Sequence, residues 1–164
     1  MDVYIYSSYK GQRVFKDFTS LWIKTFLNEL KNEKKLKNKS FLKSEEITVF
    51  YVKPSVIKKL NKDYRGKNKV TDVLSFTGDG VISLGEIIVC QEELKRKSEQ
   101  TTLNLRLYSQ FMISHSLLHL LGYTHEDSVR SEKEMMTLQN KLLRRVASKL
   151  APSRKNEFDI SLQA

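Results

Sequence analysis

All three histidines of the chain fall within eleven consecutive residues, in the sequence HSLLHLLGYTH. His115 and His119 are four residues apart, so on a helix their imidazoles lie on one face. Gly122 allows the chain to leave the helix and turn back, which would bring His125 to the same point. Three neutral imidazoles with one open position are the ligand set of a catalytic zinc site. The spacing therefore predicts one Zn²⁺ per chain, held by His115, His119 and His125.

The same spacing, HxxxHxxGxxH, is that of the metzincin proteases, with one difference. In those enzymes a glutamate that acts as general base follows the first histidine, whereas Ser116 follows it here. Glu126 and Asp127, directly after His125, could replace that carboxylate or anchor the metal loop. A metalloprotease therefore stays an alternative, disfavoured by Ser116.

Positive charge is the strongest compositional feature. The 164 residues include 29 Lys+Arg and 19 Asp+Glu, a net charge of +10, which favours a polyanionic partner. In the Gly-containing segment RGKNKVT, Arg65 can bind a phosphate through two parallel hydrogen bonds. We expect Arg65 to be a catalytic and substrate-binding residue, and Lys67 and Lys69 to bind substrate.

Two other basic stretches have two interpretations each. The segment KNEKKLKNKSFLK and the C-terminal stripe could contact RNA, or they could be solvated surface. The stripe consists of Lys141, Arg144, Arg145 and Lys149.

The elements that must position these residues follow an α+β pattern. Period-two and β-branched segments predict strands, and three- to four-residue apolar periodicity predicts helices. The turn TGDG predicts an antiparallel hairpin. We expect a small mixed sheet of about four strands packed against helices, with a metzincin-like metal-binding helix and loop. The predicted strands are 3–7, 46–52, 72–76 and 81–89, and the predicted helices are 17–35, 54–64, 91–97, 105–121 and a last helix, capped by Ser131 and Glu134, that ends at Leu150.

The remaining composition sets expectations about organisation and compartment. The length predicts one domain over residues 1–151 and a flexible tail over 152–164. Cys90 is the single cysteine, so no disulfide partner is expected. There is no signal-peptide pattern and no run of about 18 apolar residues, so we expect a cytoplasmic protein without a membrane segment.

Three sequence blocks carry a family resemblance. HSLLHLLGYTH, LNKDYRGKNKVTDVLSF (60–76) and LGEI (84–87) resemble the YbeY family of bacterial rRNA maturation endoribonucleases, over about residues 47–143. The resemblance implies an α+β fold, a three-histidine zinc site, and a single-strand-specific endoribonuclease of 16S rRNA 3′-end maturation and ribosome quality control. Its implied partners are single-stranded RNA, rRNA and the small ribosomal subunit.

The resemblance also implies roles for individual residues. His115, His119 and His125 fall on the family's metal ligands, and Arg65 falls on its functional arginine. Three positions depart from the usual pattern, namely Ser116 for Gly, Thr124 for Asp and Glu86 for Asp. Thr124 lacks the carboxylate with which the usual Asp could orient a metal ligand.

A non-catalytic RNA-binding assembly factor with a structural metal is the second alternative. A structural zinc site usually closes its fourth position with a protein ligand, and no obvious fourth ligand is present in the sequence. This favours an open site and hence a nuclease.

Overall fold

Four short segments rich in β-branched and aromatic residues pair into one mixed sheet. The computed structural model describes residues 1–9, 16–34, 36–124 and 128–150, and all four strands lie within them. Strand order is β1-β2-β4-β3, with β2 parallel to both β1 and β4, and β3 antiparallel to β4. The predicted α+β class and four-strand mixed sheet are therefore confirmed. The strands are β1 (Asp2–Ser7), β2 (Glu46–Tyr51), β3 (Val73–Thr77) and β4 (Ser83–Val89).

The predicted hairpin joins β3 to β4, but β4 begins two residues later than expected. One carboxylate oxygen of Asp79 accepts hydrogen bonds from the backbone N–H groups of Val81, Ile82 and Ser83, at 2.8, 2.8 and 2.9 Å. Val81 and Ile82 therefore belong to the turn, which their β-branched side chains do not reveal.

Helices cover the sheet, and one of them forms the centre of the core. Helix α4 has nine buried or partly buried apolar side chains and packs on β3, β4, α1, α3 and α5. Trp22 of α1 donates a hydrogen bond to Ser114 of α4, with Nε1 and Oγ 3.0 Å apart. The helices are α1 (Lys16–Lys31), α2 (Pro54–Arg65), α3 (Gln91–Ser98), α4 (Leu105–Leu120) and α5 (Val129–Leu150), with a 3-10 turn at Lys39–Lys43. Among the described residues, no helix has both the length and the apolar character that a membrane span requires.

The predicted start of α5 is wrong by one turn. Ser128 precedes the helix, and its Oγ accepts from the Ser131 backbone N–H at 3.1 Å, while Ser131 Oγ accepts from the Ser128 N–H at 3.0 Å. This reciprocal pair is a capping box with a serine at its third helical position. Glu134, the expected partner of Ser131, instead accepts from Arg130 Nε at 3.1 Å.

The basic stripe of α5 is largely neutralised by acids at the end of α1. Lys141 and Arg145 each lie 2.7 Å from a carboxylate oxygen of Glu33, and Lys149 lies 2.5 Å from Glu29. The hydrogen bond from Lys141, with the charge of both cations, holds the pKa of Glu33 below its ordinary value. These cations bridge two helices, which favours the structural interpretation of the stripe.

Candidate metal and phosphate site

His115 and His119 lie on adjacent turns of α4 and face each other. Their Nε2 atoms are 3.0 Å apart, and their rings stand at 85° to one another. Both side chains are half-buried. The structure thus brings together the two predicted ligands that it describes.

A glutamine of α5 fixes the orientation of His115. Gln139 is fully buried, and its Nε2 donates to the Phe111 carbonyl oxygen at 3.1 Å, which settles the orientation of the amide. Its Oε1 therefore faces His115 Nδ1 at 3.0 Å, and because an amide oxygen only accepts, the imidazole proton lies on Nδ1.

The turn after α4 fixes the orientation of the His119 ring. His119 Nδ1 donates to the Tyr123 carbonyl oxygen at 2.8 Å. This contact needs Gly122 in the left-handed region, with φ of +80°, as its position after the helix predicts. The Tyr123 hydroxyl accepts in turn from the Lys37 backbone N–H at 3.3 Å, so the 36–38 segment supports the turn.

The donor set that results suits a divalent metal. With both Nδ1 atoms protonated, each neutral ring presents its Nε2 lone pair at the same point. Two nitrogens bound to one Zn²⁺ at about 2.0–2.1 Å lie at most about 4.2 Å apart, and the observed separation of 3.0 Å is within that limit. The predicted third ligand, His125, lies outside the described residues, as do Glu126 and Asp127. Within the described ranges, no group of three His, Cys, Asp or Glu residues could hold a metal ion.

An open cavity of about 770 Å³ joins the histidine pair to two of the three predicted phosphate-binding residues. Arg65 and Lys67 lie on its wall with His115 and His119, whereas Lys69 is not among its lining residues. The edge strand β3 contributes Val73 to Ser75, and both departures from the family pattern near the histidines, Ser116 and Thr124, also line it. Glu86, the third departure, is exposed on β4 and does not line the cavity.

The basic loop is held by a buried asparagine that the sequence analysis missed. Helix α2 ends at Arg65, followed by Gly66 at φ +68°, so Arg65 closes a helix rather than sitting within the loop. Asn61 is 2 % exposed, its carbonyl oxygen accepts from the Lys67 N–H at 3.2 Å, and its Nδ2 donates to the Lys69 carbonyl at 2.8 Å. These two hydrogen bonds hold the loop whose Lys67 lines the cavity.

A third cation, Lys97, lines the cavity but is bound to a buried acid. Lys97 Nζ lies 2.9 Å from Asp72 Oδ1, and the Tyr108 hydroxyl donates to Asp72 Oδ2 at 3.1 Å. Burial acts to raise the pKa of Asp72, but the hydrogen bond and charge of Lys97 outweigh it, so the pKa of this carboxyl is below its ordinary value. Burial and the nearby Asp72 charge raise the pKa of Tyr108. Asp72 thus links Lys97, on the cavity wall, to Tyr108 of α4.

Comparisons with known proteins agree with this fold. The family model described as Endoribonuclease YbeY matches residues 6–147. A Bdellovibrio bacteriovorus protein named Endoribonuclease YbeY is 37% identical to the chain, over 82% of this chain and 91% of that protein. An Aquifex aeolicus protein of the same name is 32% identical, over 86% of this chain and 90% of that protein. A solution structure of a Thermotoga maritima protein covers 94% of this chain and 95% of its own, with a TM-score of 0.59 and 24% identity, and shows the same fold. The chain therefore belongs to the YbeY family of endoribonucleases.

Proposed function

We propose that this chain is a zinc-dependent endoribonuclease that cuts single-stranded RNA in the cavity beside the histidine pair. The observation that carries the proposal is the pair of Nε2 atoms, 3.0 Å apart, on a wall shared with Arg65. The relatives' name supplies the substrate class, because an endoribonuclease acts on RNA. The proposed biological role is 16S rRNA 3′-end maturation and ribosome quality control, on the small ribosomal subunit in the cytoplasm.

His115, His119 and His125 are the proposed metal ligands, and their partners prepare two of them. Gln139 and the Tyr123 carbonyl each hold one Nδ1 proton, so neither ring must change its tautomer to bind an ion. When bound, a divalent metal supplies Lewis-acid chemistry to the scissile phosphate.

Arg65 is proposed to bind that phosphate from another part of the cavity wall. Its guanidinium can donate two parallel hydrogen bonds to phosphate oxygens and stabilise charge that develops during cleavage. Lys67 adds a second positive charge on the same wall. Lys97 contributes less, because Asp72 already neutralises it.

Single-strand specificity is proposed to come from an exposed aromatic next to Arg65. Tyr64 is 68 % exposed, and its ring meets Phe76 edge-on, with centroids 5.1 Å apart, so one face of Tyr64 can stack on an unpaired base. A base within a duplex is already stacked and cannot use this surface.

The test is cleavage of a labelled single-stranded RNA by purified wild type, His119→Ala, Arg65→Lys and Arg106→Lys, with and without a chelator. Arg106 is a matched control because its guanidinium stacks 3.6 Å from the Phe18 ring and lies outside the cavity. We expect wild type and Arg106→Lys to cut only with metal, His119→Ala to be inactive, and Arg65→Lys to lose about 100-fold in rate.

Other outcomes separate the alternatives. Equal cutting by wild type and His119→Ala would reveal a contaminating nuclease and refute the proposal. Absence of cutting by a wild type that binds about one equivalent of metal would favour the non-catalytic assembly factor.

A further inference from the structure

A second cavity, of about 730 Å³, lies at the surface formed by the end of α1 and the 3-10 turn. Its cations are Lys31, Lys39 and Lys43, which we call the three-lysine surface. We propose that this surface is a second RNA-binding site, which holds backbone phosphates of a strand whose scissile bond lies beside the histidine pair. The proposal rests on the proposed function, since it extends the same RNA beyond the catalytic cavity.

The positive charge of this surface is not neutralised by acids. Among the described residues, none of the three lysines makes an ion pair, and Lys39 Nζ donates only to a backbone carbonyl, that of Glu33, at 3.3 Å. The Glu33 carboxylate is already occupied by Lys141 and Arg145. Three of the four stripe cations of α5 are therefore compensated, whereas those of the three-lysine surface remain available to phosphate.

A buried hydroxyl on the same wall supports an anionic ligand. Ser44 lines the cavity, is 2 % exposed, and its Oγ has no hydrogen-bond partner within the described part of the chain. A buried polar side chain without a partner is uncommon in folded proteins. The cavity is thus lined by three ammonium groups and by a serine whose buried hydroxyl has a free donor, and both are groups that bind the acceptor oxygens of a phosphate.

Direct contacts connect this surface to the histidine pair. Lys37 lies six residues after Lys31 and two before Lys39, and its Nζ sits 5.3 Å from the centre of the Tyr123 ring. Its backbone N–H donates to the Tyr123 hydroxyl, and the Tyr123 carbonyl holds His119. The segment that carries Lys37 and Lys39 therefore adjoins the turn that holds His119.

The lining residues favour RNA phosphates over a lipid bilayer or over nucleobases. The two apolar residues of the cavity are half-buried Met1 and buried Leu42, so no large exposed apolar side chain is present to enter a membrane. No aromatic side chain lines it among the described residues, so bases have no stacking surface there. The expected binding is electrostatic and independent of sequence.

The experiment measures RNA binding, with chelator present to prevent cleavage, for a long strand of about 30 nucleotides and a short one of about six. The test variant replaces three lysines by glutamine, and the control variant removes the same charge at three exposed lysines that line neither cavity. The test set is Lys31→Gln, Lys39→Gln and Lys43→Gln, and the control set is Lys24→Gln, Lys53→Gln and Lys95→Gln. A third variant, with arginine at the three test positions, keeps the charge and checks that the fold tolerates change there.

Each phosphate contact on a single strand contributes about 0.7 to the slope of log affinity against log salt. We expect the test variant to have a slope shallower by about 2 for the long RNA, which corresponds to about 100-fold weaker binding at 0.1 M salt. Binding of the short RNA, the control variant and the arginine variant should stay within roughly twofold of wild type, because none of them removes a phosphate contact.

Equal losses in the test and control variants would mean that only net charge matters, and would overturn the proposal. So would an unchanged slope in the test variant, or a loss of binding to phosphatidylserine vesicles without a loss for RNA. If the test variant alone loses the long RNA but the wild type never cuts RNA with metal present, the second site is supported and the proposed nuclease function fails.

Discussion

Gln139 offers the sharpest test of how this chain prepares its metal ligands. Gln139→Leu keeps the approximate size of a side chain that is fully buried in the core but removes both of its hydrogen bonds. His115 Nδ1–H loses its acceptor at 3.0 Å, and the Phe111 carbonyl loses a donor at 3.1 Å. His115 is then free to place its proton on Nε2, and in that form it cannot bind a metal through Nε2.

Two magnitudes follow from these lost contacts. The two groups left without a partner cost about 1–3 kcal/mol each, and burial of leucine offsets part of this sum, so the unfolding free energy without metal should fall by about 1–3 kcal/mol. Loss of a hydrogen bond that orients a ligating histidine typically weakens metal binding about 10- to 100-fold, or about 1.4–2.7 kcal/mol. The loss of zinc affinity should be larger than the loss of stability of the metal-free protein alone can explain, because the folded variant itself binds zinc less tightly.

The assay is a competition of the protein against a chromophoric chelator for Zn²⁺ at pH 7, combined with urea unfolding in excess chelator. Gln110→Leu is the matched control, because Gln110 is also a buried glutamine of low exposure, 5 %, but its Oε1 has no partner among the described residues. We expect that control to bind zinc normally and to be at least as stable as wild type. Wild-type zinc affinity in Gln139→Leu would refute the assignment of the His115 tautomer.

Three further predictions concern the wall of the cavity beside the histidine pair and the two glycine turns that follow α2 and α4. Lys97→Met leaves buried Asp72 without its cation and should lower the unfolding free energy by about 1–3 kcal/mol in urea; an unchanged midpoint would show that Asp72 needs no charge partner. Because the folded pKa of Asp72 is below its ordinary value, it stabilises the fold fully above about pH 5, and this contribution is lost as the pH falls through the folded pKa. The unfolding free energy of Asp72→Asn should therefore decline less than that of wild type below pH 5, and parallel curves would contradict this. Gly122→Ala and Gly66→Ala should each lower the unfolding free energy by about 1–2 kcal/mol, since both glycines have positive φ. The atom nearest a new Cβ at residue 122 is the mobile amide end of Asn38, so a cost above about 3 kcal/mol there would mean that Asn38 cannot move. Only Gly122→Ala should also weaken zinc binding.

Most of the fold could be predicted because its elements have strong periodic patterns. All four strands and five helices were expected, and the hairpin and the left-handed Gly122 were placed correctly. The errors lie at ends, where local hydrogen bonds decide the boundary. Asp79 extends the turn into a β-branched segment, and Ser128, rather than Ser131, caps α5.

The candidate metal ligands and the candidate phosphate-binding arginine can be picked out from the sequence, whereas the residues that hold them in place cannot. The three-histidine spacing and Arg65 stand out in the sequence, whereas Gln139 and Asn61 act through contacts that join distant segments. One signal was available for Gln139, because it interrupts the apolar face of α5 between Met135 and Leu142. A polar residue in such a position must have a partner, but periodicity does not say which helix provides it.

The pairing of charges between distant segments could not be predicted from the sequence either, and it changes where RNA binding is expected. A net charge of +10 favours a polyanion, and one basic stripe without an intervening acid lies on α5. Yet three of its four cations bridge to Glu29 and Glu33, acids more than a hundred residues away, and so contribute to helix packing. Lys31, Lys39 and Lys43, at the end of α1 and in the 3-10 turn, have no such ion pair among the described residues. The proposed second RNA site therefore depends on which cations are left unpaired, which the net charge alone does not indicate.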